Sequence, residues 1–183
     1  MNKTIARFGC LDALVNNAGV LVPIAPFADA NPQDWERNLA VNLFGAVNMT
    51  GAVLPHLLAS GGRVIHVSSG ATLEPCHGFS AYCVSKAVLN HFNRPLAIEE
   101  PQVTSITMRP GKVENEMQEI LRREGAEGMQ PEQYKHHVRL HSRGDLLPPK
   151  ESGRSLTLLA LYAPRECSGE FMQWDDPRIR TLV

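Results

Sequence analysis

The stretch Gly61-Gly62-Arg63-Val64-Ile65-His66-Val67-Ser68-Ser69 sets the fold class of this chain. Its β-branched residues favour an extended strand, and the glycine pair in front of them favours a turn. A short run with apolar residues on both faces is typical of a strand in a parallel sheet covered by helices. We interpret His66, inside this strand, as a core or surface histidine rather than as a ligand.

Helical patterns lie on both sides of this strand. Residues 31–58 carry apolar side chains at steps of three and four, with Asn31 placed to cap the first turn and Pro32 at the first helical position. Pro55, near the end of this segment, is expected to bend or end the helix. Residues 80–96 repeat the helical pattern after the strand.

Further apolar runs alternate with helical patterns along the rest of the chain. Strands are expected at 11–15, 103–108 and 169–174, and a last helix at 148–164. The alternation predicts one α/β domain over residues 1–183, with a parallel sheet flanked by helices. The polar segment 114–147 is predicted to form two short helices and a mobile loop, which together act as a lid over a substrate site.

Composition narrows the possible functions. The net charge of −1 gives no basic surplus for binding nucleic acid. No uninterrupted apolar run reaches the length of a membrane span, and the first residues show no secretory signal. The four cysteines are scattered without a Cys-x-x-Cys pair, which favours reduced thiols and a cytoplasmic location. Cys83 is either a small residue on a helix face or a reactive thiol.

The strongest chemical signal is a set of four spaced residues. Tyr82 and Lys86 form a Tyr-x-x-x-Lys pair, so one helical turn places both side chains on the same face. Ser69 lies 13 residues before Tyr82, and Asn42 lies 27 residues before Ser69. Ser68 is the alternative to Ser69, although alternation along the strand should turn it to the other face.

Two more motifs stand at the ends of expected strands. Asn16-Asn17-Ala18-Gly19 follows the first strand, and Pro110-Gly111-x-Val113 follows the third. In this order the motifs resemble those of the short-chain dehydrogenase/reductase family, and the resemblance covers essentially the whole chain. It implies a partial Rossmann-like doubly wound parallel sheet, of which this chain holds strands four to seven. The family's Gly-x-x-x-Gly-x-Gly turn is not present among the fourteen glycines.

The resemblance implies a role for each catalytic residue. Tyr82 exchanges a proton with the substrate oxygen, and Ser69 holds that oxygen. Lys86 lowers the pKa of Tyr82 together with the oxidised nicotinamide, and it also binds the nicotinamide ribose. Asn42 holds a water molecule that relays protons to Lys86. The alternative interpretation of Tyr82, Lys86 and Asn42 is that they are ordinary residues of amphipathic helices, and the joint spacing favours the catalytic interpretation.

The resemblance also implies a cofactor, NADP or NAD with a preference for NADP, and a small carbonyl or alcohol substrate. The family often has Thr where this chain has Asn115. Met117, Ile120, Leu121 and Met129 either line the substrate pocket or pack a short helix. The residues expected to contact the cofactor are Asn17, Ala18, Gly19, Tyr82, Lys86, Pro110, Gly111, Val113 and Asn115.

Three functions therefore remain open from the sequence. The first is a NAD(P)-dependent oxidoreductase that forms a homodimer or homotetramer through the helices bearing Asn42 and Tyr82. The second is a truncated, inactive fragment or pseudoenzyme that does not bind the cofactor tightly. The third is an interaction module that uses the same helices. Strand 11–15 is expected to leave an apolar edge and to make the chain prone to aggregate. No metal is expected, because His136, His137 and His141 lack further ligands at suitable spacing.

Overall fold

Four parallel strands form the sheet at the centre of the fold. The structure is a computed structural model, and it describes residues 2–74 and 76–182. The strands are β1 (Ala13–Asn16), β2 (Arg63–Val67), β3 (Thr104–Arg109) and β4 (Phe171–Gln173), and they neighbour one another in chain order. Every pairing is parallel, so the carboxyl ends of all four strands meet at one edge. The predicted α/β class with a parallel sheet is confirmed.

Helices cover both faces of this sheet. A π-helical segment, Ala40–Phe44, joins the second helix to the third without a break. The third helix ends where Gly61 adopts a left-handed conformation with φ of 63°, a usual way to stop a helix before a strand. The α-helices are α1 (Asn2–Phe8), α2 (Pro32–Leu39), α3 (Gly45–Ser60), α4 (Ser80–Glu99), α5 (Glu116–Gly128), α6 (Pro131–Ser142), α7 (Pro149–Tyr162) and α8 (Pro177–Arg180).

The core has one apolar cluster on each face of the sheet and a third at its carboxyl edge. On one face, Ile65 packs with residues of β3 and α7. On the other face, Val64 packs with residues of α3. The third group, which we call the Tyr82 cluster, contains the buried residues Leu21, Phe79, Tyr82, Leu121 and Met129. It joins α4 to α5, so the packing of α5 is coupled to the edge of the sheet where the strands end.

One continuous helix, Pro32–Ser60, spans 29 residues and is long and apolar enough to cross a membrane by length and composition alone. Core helices of globular proteins meet the same criteria. Within this helix, Asn38, Asn42 and Thr50 are buried and hydrogen-bonded to groups of the same fold. The helix is therefore explained as a packed element of the sheet domain, and we infer no membrane contact from it.

Several expected boundaries differ from the structure. Helix α4 continues through Pro95 to Glu99, three residues beyond the expected end. In segment 114–147 the structure has two helices joined by Met129 and Gln130, and the irregular residues 143–147 follow the second helix. The mobility expected for the loop stays a prediction. The first strand begins at Ala13 rather than at residue 11, and the second ends at Val67 rather than at residue 69.

Strand β1 lies at the edge of the sheet, and the expected apolar edge at this strand is confirmed. Its residue Val15 is 39% exposed. Only β2 pairs with β1 among the described residues, so its other side presents unpaired backbone groups. An exposed edge with apolar side chains favours pairing with another strand.

We expect Val15→Lys to reduce concentration-dependent self-association of the 183-residue chain, because a charged side chain on an edge strand opposes edge-to-edge pairing. Static light scattering over a dilution series measures this change. Ile98→Lys is the matched control, since Ile98 is 80% exposed on α4 and is not part of the edge strand. Equal effects of the two substitutions would show that general surface hydrophobicity, and not the β1 edge, drives association.

Candidate active site

The residues singled out from the sequence converge at the carboxyl edge of the sheet. Asn17-Ala18-Gly19 follows β1, Ser69 follows β2, and Pro110-Gly111 follows β3. Because the strands are parallel, these three segments lie side by side. Helix α4 begins after the segment that contains Ser69 and brings Tyr82 and Lys86 to the same edge.

The buried amide of Asn42 joins three parts of this edge. Its Oδ1 accepts a hydrogen bond from the main-chain N–H of Val20 at 2.7 Å, and its Nδ2 lies 2.9 Å from the main-chain oxygen of Val20. The same Nδ2 is 3.0 Å from Ser85 Oγ on α4 and 2.9 Å from Asn38 Oδ1 on α2. The side chain thus binds the protein rather than standing free to hold a water molecule. A water-relay role for Asn42 stays a prediction.

The π-helical segment places Asn42 in this position. Gly45 N–H donates to Ala40 O, five residues back, which marks the wider turn. Asn38 supports the arrangement, because its Nδ2 donates to Val22 O at 2.8 Å. The loop after β1 is therefore fixed to the helix at two points, Val20 and Val22.

Lys86 lies under this loop and is almost completely buried. Its Nζ donates to Val67 O at 2.7 Å, and burial lowers the pKa of Lys86 to about 8. A Cβ on Gly19 would lie 3.2 Å from Asn42 Oδ1 and 3.4 Å from Lys86 Nζ. The loop backbone therefore passes directly over both side chains, and a side chain at residue 19 would crowd them.

Tyr82 lies beside Lys86 within its apolar cluster. The tyrosine is 7% exposed, and Lys86 Nζ is 5.9 Å from the centre of its ring. Burial raises the pKa of Tyr82, and the neighbouring Ser69 hydroxyl only partly offsets this by lowering it. Lys86 is not among the groups that shift the pKa of Tyr82 here, and the lowering expected from Lys86 together with the oxidised nicotinamide stays a prediction.

Ser69 rather than Ser68 is the serine next to Tyr82. Ser69 caps the short 3-10 turn Gly70–Thr72, and its Oγ accepts a hydrogen bond from Ala71 N at 3.2 Å. Ser68 is 2% exposed, and its Oγ has no hydrogen-bond partner in the part of the chain that the structure describes. The side chain of Ser69 can therefore face a ligand at the edge, while Ser68 is enclosed.

The segment after β3 has clear structural roles. Gly111 has φ of 83°, and a Cβ there would fall 2.8 Å from Trp174 Nε1. Val113 pairs with Leu147 in an isolated parallel bridge. Asn115 caps α5, since its Oδ1 accepts a hydrogen bond from Gln118 N at 3.1 Å. Contacts of Pro110, Gly111, Val113 and Asn115 with a cofactor stay predictions.

Comparison with known proteins agrees with this geometry. Residues 1–125 match the profile of the family described as short chain dehydrogenase. The chain belongs to the short-chain dehydrogenase family.

Relatives of this chain match it over nearly its whole length. An uncharacterized oxidoreductase of Schizosaccharomyces pombe is 36% identical over 95% of this chain and 71% of its own length. A benzil reductase ((S)-benzoin forming) of Saccharomyces cerevisiae is 36% identical, over 94% of this chain and 70% of its own. The crystal structure of a short chain dehydrogenase/reductase from Saccharomyces cerevisiae has a TM-score of 0.96 at 34% identity, covering 100% of this chain and 73% of that one. The relatives are oxidoreductases, so this chain is an enzyme by family.

His66 is a core residue, as its sequence context suggested. Its Nδ1 lies 3.2 Å from Asn16 Nδ2, which also donates to Thr50 Oγ1 at 3.1 Å. Burial, and secondarily the charge of Lys86, lower the pKa of His66 to about 4, so the ring is neutral near pH 7. Asn16, the last residue of β1, thus ties β1 to β2 and α3.

Two of the three histidines of α6 have hydrogen-bond partners of their own. Lys112 Nζ is 2.9 Å from His136 Nε2, and His141 Nδ1 is 2.8 Å from a carboxylate oxygen of Glu114. Within residues 2–74 and 76–182, no group of three His, Cys, Asp or Glu side chains is arranged to hold a metal ion.

Three residues of this edge were missed from the sequence. Asn38 precedes Asn42 by one helical turn, and Ser85 lies between Tyr82 and Lys86. Polar residues at these spacings, on helix faces that also carry residues singled out as catalytic candidates, were an available signal. No sequence signal pointed to Arg109. Its Nε lies 2.6 Å from the position that a Cβ on Gly70 would take. The guanidinium of Arg109 therefore lies against the backbone next to Ser69.

The burial of Lys86 makes stability depend on pH. Its folded pKa of about 8 lies below the ordinary value of 10.5, so between these values the unfolded chain binds more protons and stability rises with pH. Below pH 8 the buried charge is fully destabilising. We expect Lys86→Met to raise the free energy of unfolding by about 2 kcal/mol at pH 7, with a smaller gain near pH 9.5.

Urea denaturation at the two pH values measures this difference. Lys150→Met is the matched control, because Lys150 is exposed at the start of α7 and should show little change at either pH. A gain for Lys86→Met that is the same at both pH values would contradict a titrating, buried Lys86.

Proposed function

We propose that this chain carries the proton-transfer machinery of a NAD(P)-dependent oxidoreductase that reduces a carbonyl compound to a secondary alcohol. The observation that carries the proposal is the grouping of Tyr82, Ser69 and Lys86 at one edge of the sheet. The raised pKa of Tyr82 keeps its hydroxyl protonated at neutral pH. A protonated tyrosine can donate to the oxygen of a substrate carbonyl, with Ser69 as a second donor to the same oxygen.

A nicotinamide cofactor fits the residues of this edge. An ammonium group has three donor hydrogens, and Lys86 uses one of them on Val67 O in the described structure. The remaining donors can bind the hydroxyl groups of a ribose. Gly19 has no side chain to fill the space next to this ammonium. The cofactor, when bound, supplies the hydride for the carbonyl carbon. Contacts from Asn17, Ala18, Pro110, Gly111, Val113 and Asn115 form part of the same proposal.

NADP is the preferred cofactor in this proposal, and NAD is the alternative. Family members choose between the two with residues near the glycine-rich turn. That turn is not among the 183 residues, and the chain spans 70 to 73% of the length of the relatives compared above. Cofactor affinity therefore has to be measured in a protein that also contains the glycine-rich turn and the strands around it.

The substrate is proposed to be a small carbonyl compound with apolar substituents. The Tyr82 cluster presents Leu21, Phe79, Leu121 and Met129 around the tyrosine, with Met117 packed against them. The similar yeast protein named as a benzil reductase acts, by that name, on an aromatic diketone. Both observations favour an aryl ketone or diketone over a sugar. Segment 114–147 is proposed to act as the lid, because α5 supplies part of this cluster.

A second candidate function is interaction through exposed apolar surfaces. The helices that bear Asn42 and Tyr82 expose Phe44, Met49, Val84 and Val88, each by 41% or more. These surfaces support a homodimer or homotetramer, and they could equally serve an inactive chain that binds a partner.

The location of this chain is proposed to be cytoplasmic, consistent with the four free cysteines.

Tyr82→Phe tests the oxidoreductase proposal. In a fusion protein that places the N-terminal strands of the yeast relative before residue 1, we expect this change to lower kcat for benzil reduction by a hundredfold or more, roughly the contribution of general acid catalysis. NADPH oxidation followed by absorbance gives the rate, and cofactor fluorescence should show unchanged binding. Tyr162→Phe, at an exposed tyrosine of α7, is the control and should keep full activity. Full activity of Tyr82→Phe would contradict the assignment, and an inactive but folded fusion protein would favour the interaction function.

A further inference from the structure

Two cysteines flank Tyr82 and have no part in the proposed reduction. Cys83 follows Tyr82 on α4, and Cys76 lies in the irregular segment between the turn Gly70–Thr72 and that helix. Both are partly buried, and both pack against the Tyr82 cluster. The cluster side of α4 is distinct from its exposed side, where Val84 and Val88 lie.

The backbone between these cysteines is wound so that both face the same cluster. Phe79 N–H donates to Cys76 O at 3.2 Å, and Cys83 N–H donates to Phe79 O at 2.8 Å. The Cys83 sulfur interacts with both the thiol and the main-chain N–H of Cys76. The Cys76 sulfur also lies 3.4 Å from Glu74 O, so its single hydrogen can be given either to Glu74 O or to the Cys83 sulfur. The two sulfurs are therefore close in space, although seven positions separate the two cysteines in the chain.

The charges around the two thiols make them different. The Cys76 thiol is the largest influence on the pKa of Cys83 and lowers it to about 7, although burial acts in the opposite direction. The pKa of Cys76 is raised, first by Cys83 and then by burial and Glu74, while Lys112 lowers it. Near pH 7 a substantial fraction of Cys83 is thus the thiolate, with Cys76 the thiol that stabilises it, an arrangement found at reactive cysteine pairs.

We propose that Cys76 and Cys83 form a dithiol site beside Tyr82 that reacts with hydroperoxides and closes to a disulfide. The Cys83 thiolate attacks one peroxide oxygen, the O–O bond breaks, and the other oxygen leaves as hydroxide and takes a proton to become water. Cys83 is then a sulfenic acid. The Cys76 sulfur attacks it, forms the S–S bond and releases the second water, so two thiols are oxidised as one peroxide is reduced.

The fold permits this closure and connects it to Tyr82. Cys76 lies outside any helix or strand, so its sulfur can move to disulfide geometry without unwinding α4. The charge of Cys83 is one of the influences that raise the pKa of Tyr82. Oxidation removes that charge, so the disulfide form should hold the tyrosine proton less firmly.

The other two cysteines are internal controls for this site. Cys10 is exposed, but a hydrogen bond to Asp12 raises the pKa of its thiol. Cys167 is buried, and burial raises the pKa of its thiol. Exposure alone would make Cys10 the first to react, whereas the dithiol site makes Cys83 the first.

The test uses the 183-residue chain and needs no cofactor. The reduced protein is treated at pH 7 with increasing hydrogen peroxide, then alkylated and analysed by peptide mass spectrometry without reduction. We expect a linked Cys76–Cys83 peptide to form while Cys10 and Cys167 remain alkylated. The same method, with limiting iodoacetamide, should show Cys83 alkylated roughly tenfold faster than Cys10. Oxidation of Cys10 first, or sulfinic acid at Cys83 without a linked peptide, would overturn the proposal.

Two variants separate the roles of the pair. Cys76→Ser should slow alkylation of Cys83 at pH 7 by at least about threefold and leave its sulfenic acid open to trapping by dimedone. Cys167→Ser should change neither result. An unchanged alkylation rate in Cys76→Ser would contradict stabilisation by Cys76. If this variant does not fold, the pH dependence of Cys83 alkylation in the unmodified chain still decides, because a midpoint above pH 8 would contradict the site.

Discussion

The side-chain amide of Asn42 is the interaction on which the site depends. It hydrogen-bonds to both main-chain groups of Val20, and its Nδ2 also reaches Asn38 and Ser85. The loop after β1, helix α2 and helix α4 are thereby held together at a fully buried position. A buried amide whose donors and acceptor are all used fixes one geometry, because each lost partner costs about 1–3 kcal/mol. The position of the loop over Lys86 follows from these bonds.

Burial then sets the charge state of the residues beneath that loop. Desolvation disfavours charge on both Lys86 and Tyr82, lowering the pKa of the lysine and raising that of the tyrosine. Opposed shifts on adjacent titratable groups are common where protons are transferred. Here they keep the tyrosine protonated, which suits donation to a carbonyl. Oxidation of the alcohol, the reverse of the proposed reaction, needs tyrosinate. It therefore depends on positive charge close to Tyr82 more than the reduction does.

The sequence allowed the strands and helices to be predicted because their apolar periodicity and capping residues act locally. It also allowed the positions of Tyr82 and Lys86 to be predicted, since one helical turn separates them. The raised pKa of Tyr82 could not be predicted in the same way, because it depends on residues brought from α5 by folding. The π-helical turn at Asn42 was missed for a similar reason: its stability depends on Val20, which is distant in the chain. The exposed edge of β1 at Val15 was predicted from the family resemblance, because no local pattern reports which strands lie beside β1.

Amide hydrogen exchange at Val20 tests the central claim that Asn42 builds the site. In the unmodified chain the Val20 N–H is bonded to Asn42 Oδ1 at 2.7 Å, so we expect it to exchange slowly although it lies in a loop. In Asn42→Ala it should exchange rapidly, while the core-strand amides of Ile65 and Ile106 remain protected. Asn48→Ala, at an exposed position of α3, should leave the Val20 amide slow. If Val20 exchanges equally in the unmodified chain and in Asn42→Ala, the loop is held by something else and the account is contradicted.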